Sequence, residues 1–249
     1  YGRADEVWRE DPELAHGHRA LQRQVRLLRR VYNVRLDAAM EAWSELQRMS
    51  GEGPLLDQER DAARRAVQDL DAYHARRLGE LREGFYHRFD PLMRAAVARQ
   101  RDEVRRALAP AVGVVVAGGH VPLLLNRLRL FGVDHLLAGK TVVAYSGGAM
   151  ALTRYVVLFH DSPPWGPGHA EVGEVGLGLV PGVVALPDGS SRLRLDDRGR
   201  VSRLAQRFEP DVCVVLDPGG RVDWDGSLHA HGARRLTPDG WPQSWQGAA

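Results

Sequence analysis

The segment 112–150, VGVVVAGGHVPLLLNRLRLFGVDHLLAGKTVVAYSGGAM, decides how the chain is read. It holds two apolar runs of strand length, Val112–Val116 and Thr141–Tyr145, both rich in β-branched residues. Between them, Pro122–Phe131 repeats leucine at helical spacing. Together these pieces predict one β-α-β unit, whose crossover between parallel strands is right-handed. Small residues end each strand: Gly118-Gly119 after the first, Ser146-Gly147-Gly148 after the second. In an open parallel sheet ligands sit beyond the carboxyl ends of the strands, so both turns are expected at one crevice.

The second turn sets a serine between a strand and a helix, with no bulky neighbour on its C-terminal side. Such a turn is either a nucleophile elbow or only a tight strand–helix connection. As an elbow, it would push the Ser146 hydroxyl into solvent near a helix N-terminus. Backbone N–H groups of Gly119 and Gly147 would then point at one oxygen, as an oxyanion hole requires. The pattern departs from G-x-S-x-G, because Ala144 stands at its first position.

The same stretch carries a family resemblance. Ala117-Gly118-Gly119-His120 and Tyr145-Ser146-Gly147-Gly148-Ala149 resemble the Gly-rich turn and serine elbow of the dipeptidase E and cyanophycinase family of serine peptidases. Gly176-Leu177-Gly178-Leu179-Val180-Pro181-Gly182 and Leu186-Pro187 are similar to the run before that family's catalytic histidine. The resemblance covers about residues 112–226. It implies an open, parallel-rich α/β sheet with flanking helices, the class I glutamine amidotransferase-like fold. It also implies a serine hydrolase acting on a short peptide or small amide, with no cofactor. Asp161 takes the place of the family's aspartate, but Asp188 stands where the family has histidine. Since a carboxylate is a weak base at neutral pH, the triad is incomplete unless another residue serves. His120, His160 and His169, all in loops expected near the crevice, are the substitute bases or substrate contacts. The alternative is an inactive relative that keeps the crevice for binding or acts as a scaffold. Amidotransferase chemistry is disfavoured, because it uses a cysteine at the elbow.

Before this segment the chain reads as helix. Asp11-Pro12 starts one, and Leu21, Val25, Leu28, Tyr32, Leu36, Ala39, Trp43 and Leu46 form its apolar stripe. Residues 50–54, Ser-Gly-Glu-Gly-Pro, break it. A second helix over about 57–87 is striped by Ala63, Val67, Leu70, His74, Leu78, Leu81 and Phe85. Asp90-Pro91 is expected to cap a third, ending near Leu108. This predicts a helical hairpin arm over 1–109 and an α/β domain over 110–249. The arm is read as mediating self-association, to give a homo-oligomer, or as docking over the active-site face. Nothing before Val112 reads as a strand, although the resembled domains open with strands, so a preceding segment is expected. After the elbow, Tyr155–Phe159, Val183–Leu186, Val212–Leu216 and Val222–Trp224 read as strands and Arg200–Phe208 as helix. Ser162–His169, rich in proline, reads as a lid or substrate wall.

Composition limits the partners. A net charge of +2 in 249 residues gives no electrostatic case for nucleic acid. No apolar stretch is long enough to span a membrane. The single cysteine, Cys213, cannot form an internal disulfide, which fits a cytoplasmic setting. His16-x-His18 in a helix points its rings apart. His229-x-His231 on a strand has better metal geometry but no third ligand nearby, so no metal is expected.

Overall fold

The predicted β-α-β unit forms. The computed structural model describes residues 2–51, 53–161 and 168–248. In chain order, α1 (Gly2–Glu10), α2 (Pro12–Arg48), α3 (Pro54–Phe89) and α4 (Ala95–Leu108) precede β1 (Gly113–Val116). Then come α5 (Val121–Leu130), the short α6 (Val133–Leu136), β2 (Thr141–Ala144) and α7 (Gly147–Leu152). The next elements are β3 (Tyr155–Leu158), β4 (Glu171–Val175), β5 (Val183–Pro187) and α8 (Gly189–Arg192). The chain closes with α9 (Arg198–Phe208), β6 (Val212–Leu216), β7 (Arg221–Trp224), β8 (Leu228–Leu236) and β9 (Pro242–Ala248).

β1 and β2 pair in parallel, Gly113 opposite Thr141 through Val116 opposite Ala144. β5 and β6 also pair in parallel, Val183 opposite Val212. The expectation of one parallel-rich sheet needs correction, because these pairs belong to different hydrogen-bonded sheets. β3 turns away to pair antiparallel with β4, and β6 continues through β8 to β7 and β9, also antiparallel. The molecule is therefore a mixed α/β fold behind long N-terminal helices.

The helical hairpin forms as the stripes predict, and the stripes are spent inside the chain. Tyr32, Leu36, Met40, Trp43, Val67 and Leu70 share one core with Val121, Met150, Val156, Val172 and Leu186. Trp43 is fully buried there. At the other end of the hairpin, Leu21 and Phe85 pack with Ala4 and Val7 of α1, Val97 of α4 and Leu130 of α5. Both ends of the hairpin thus pack against later parts of the chain. One detail differs: Asp90 does not cap a helix with its side chain but ends α3 in the left-handed conformation, φ 37°.

A buried polar node joins hairpin and sheets. Arg207 of α9 donates to both oxygens of Asp71 at 2.6 and 2.8 Å, to the Tyr32 hydroxyl at 2.9 Å and to the Ala170 carbonyl. Tyr32 in turn donates to Asp71 at 2.7 Å and accepts from the Val172 amide at 3.0 Å. His74 stacks on the Tyr32 ring, centroids 4.0 Å apart. Nearby, Arg82 of α3 pairs with Glu174 of β4, both buried. Such charges are tolerated because each is matched and hydrogen-bonded.

Candidate functional site

The two glycine turns meet as expected. Ser146 has φ 52° and ψ −129°, a conformation non-glycine residues rarely adopt and the strained geometry of a nucleophile elbow. Its residue is exposed at the amino end of α7. The glycines around it are required by contact. A β-carbon at Gly118 would lie 2.7 Å from Ser146 Cβ and 2.8 Å from its Oγ. One at Gly147 would lie 2.8 Å from the Gly119 carbonyl oxygen and 3.4 Å from the Gly119 nitrogen. One at Gly148 would strike the Val116 carbonyl, so only glycine lets α7 start against the end of β1. Gly119 itself sits at φ 132°. The proposed oxyanion pair, Gly119 and Gly147, are therefore backbone neighbours beside Ser146.

Ser146 opens on a cleft of about 590 Å³, within the range of small-ligand sites. Gly119, His120, Gly147, His160 and His169 line it with Ser146. All three substitute histidines thus line the same cleft as the serine. Each is placed differently. His120 caps α5, its Nδ1 accepting the Leu123 amide at 3.4 Å, which leaves the neutral ring's proton on Nε2. The Nδ1 of His160 is buried and has no partner among the described residues. His169 has its pKa lowered from the usual histidine value, first by burial and then by Arg200, Arg207 and Arg203, with Asp37 opposing.

The carboxylates expected to complete the site are not among the residues that line the cleft. Asp161 is buried and held by Arg200, whose Nε lies 2.6 Å from Oδ2 and whose second nitrogen reaches Oδ1. It also accepts the Arg194 amide at 2.9 Å. Asp188 is exposed just past β5, in the left-handed conformation at φ 56°. Neither lines the cleft. Residues 162–167 of the predicted lid lie outside the described residues.

Sequence reasoning missed three charged groups in the cleft wall. Arg29 of α2 pairs with Glu171 of β4 through Nε, 3.0 Å, and a second nitrogen. Arg192 donates to the Phe159 carbonyl at 3.3 Å and stacks over its ring. Arg29 and Glu171 are 142 positions apart, and Arg29 reads in sequence as one more arginine on a solvated helix face. No local signal marks them.

No protein-family model and no curated protein matches the chain. Among the described residues no cluster of three or more metal-ligating side chains occurs. His18 stacks on Trp8, while His229 and His231 face Asp225 and Asp223. No helix among the described residues is long and apolar enough to cross a membrane.

Proposed function

We propose that the protein is a serine hydrolase that cleaves a short peptide or small amide bond through Ser146, with the glutamine amidotransferase-like arrangement of dipeptidase E. The observation that carries this reading is the strained φ of Ser146 beside Gly119 and Gly147, at the floor of a histidine-lined cleft. A residue with a strained backbone exposed at a cleft is a common mark of a reacting group.

His160 is our choice of base. His120 has its acceptor nitrogen committed to the α5 amide, so its remaining nitrogen can only donate. His169 sits among arginines that oppose a further positive charge. That leaves His160 to take the Ser146 proton as Oγ attacks the carbonyl carbon, with N–H groups of Gly119 and Gly147 on the carbonyl oxygen. The imidazolium then gives its proton to the departing amine, and water hydrolyses the acyl-serine by the reverse roles. Asp161, held by Arg200, is assigned to the architecture of the loop rather than to this relay.

A binding protein that retains the elbow is the second reading, favoured by one observation: no carboxylate–histidine pair accompanies Ser146 among the described residues. Treatment with a fluorophosphonate probe separates the two. Labelling that maps to Ser146 and disappears in Ser146→Ala and His160→Ala supports the hydrolase, and absence of labelling in the wild type supports the binding protein. We place self-association on the outer face of α2, where Leu27, Val31 and Val34 are exposed at successive turns. Sedimentation of Val31→Glu against wild type tests that placement.

A further inference from the structure

Arg200, Arg203 and Arg207 follow at helical spacing along α9. Two are matched. Asp161 neutralises Arg200, and Asp71 neutralises Arg207. Arg203, half-buried between them, makes no ion pair among the described residues. Burial lowers its pKa, Asp197 opposes, and Arg200 and Arg48 lower it further. A desolvated guanidinium beside like charges costs free energy that a bound anion would offset.

A cavity lies at this arginine. It measures about 30 Å³ and sits in the seam between α9 and the hairpin, walled by Arg200, Arg203, Arg207, His169, Met40 and Leu204. Roughly 10–15 Å³ accommodates one water, so about two or three water-sized atoms fit. Met40 and Leu204 keep the wall apolar opposite the guanidinium groups.

We propose that this cavity binds a small monovalent anion, a whole ion of chloride or formate size, held chiefly by Arg203. The matched arginines contribute oriented N–H donors without adding net charge, and a guanidinium suits either anion. A tetrahedral phosphate is larger than the space. His169 borders both this cavity and the Ser146 cleft. Its ring faces Arg200, Arg203 and Arg207 from α9 and Asp37 from α2. An anion at Arg203 offsets that positive field, so occupancy makes His169 easier to protonate. The site stands whether or not Ser146 reacts.

Thermal unfolding of the whole chain in sodium chloride, sodium formate or sodium gluconate, at constant ionic strength, tests it. Chloride and formate should raise Tm saturably relative to gluconate, which is too large for the cavity. Arg203→Gln should lose that increment. The His169 ring, followed by NMR, should titrate at higher pH in chloride than in gluconate in the wild type, and at one pH in both salts in Arg203→Gln. Superimposed chloride and gluconate melts overturn the proposal, as does an increment undiminished in Arg203→Gln. Should Arg203→Gln fail to fold, the wild-type His169 titration decides, and an equal pKa in the two salts refutes the site.

Discussion

Arg200 grips Asp161 by both carboxylate oxygens, and the aspartate does not line the cleft that holds Ser146. The residue to which the family resemblance gives a triad position is, in the fold, an anchor between the end of β3 and α9. Removing the charge should therefore cost stability. Asp161→Asn leaves Arg200 without its counter-charge, and urea unfolding should show a loss of about 3 kcal/mol. Arg200→Gln should cost a similar amount, and the double variant should cost less than the two together. An Asp161→Asn protein of wild-type stability with depressed Ser146 reactivity would restore the aspartate to the reaction.

Gly118 offers a probe of the elbow that spares the serine. The new β-carbon of Gly118→Ala would press on Ser146 Cβ and Oγ. Fluorophosphonate labelling should fall by about 10²-fold, the scale that misplacing a reacting atom by an ångström produces. Far-UV circular dichroism should remain that of the wild type. Undiminished labelling would mean that the hydroxyl does not react from its position over Gly118.

Asp188 invites replacement by the histidine that the resembled family carries. Because it is exposed and outside the cleft, Asp188→His should leave Ser146 labelling within about twofold of wild type. A gain of the 10²–10⁴-fold that general-base assistance supplies would show that the β5 terminus does reach the serine. His160 would then lose its assigned role.

His74 makes stability depend on pH. Burial lowers its pKa from 6.5 to about 4, although Asp71 and the Val172 contact pull the other way. Both ring nitrogens are buried and make no close hydrogen bond among the described residues, so burial keeps the folded ring neutral. Between those two values the unfolded chain binds the extra proton, hence stability is complete above about pH 6.5 and declines towards pH 4. The loss attributable to His74 is on the order of 2–3 kcal/mol. His74→Phe, which can keep the stack on Tyr32, should flatten the fall in urea midpoint between pH 7 and 4.5. A slope as steep as the wild type's would assign the effect to other groups, among them His18, whose pKa burial also lowers to about 4.

What could be read from the sequence was what adjacent residues decide. The β1-α5-β2 unit, the Ser146 turn and the hairpin stripes all follow from spacing within a few turns, and all formed. β4 was not legible because Glu171 and Glu174 make it look like a loop. Their burial is made tolerable by Arg29 and Arg82, which arrive from the hairpin about 140 and 90 positions earlier. β9, with Gln243 and Ser244 in place of an apolar run, is a strand only because β8 offers it an edge. The separation of the parallel pairs into different sheets is illegible in the sequence for the same reason. Strand composition records burial and not the partner. At the site, the three histidines could be named from their loops, whereas the capture of Asp161 by Arg200 depends on α9 docking.

The node of Tyr32, Asp71 and Arg207 has a bearing on how the chain assembles. Tyr32 and Asp71 are 39 positions apart, but Arg207 lies 175 positions from Tyr32. The hairpin can zip early from local contacts, yet its buried aspartate stays unmatched until α9 has been made and brought back. Closing so long a loop is entropically slow, which places the locking of hairpin onto sheet late in folding. Once locked, neither half can open without uncovering a charge belonging to the other, so the chain should melt in a single cooperative step rather than element by element.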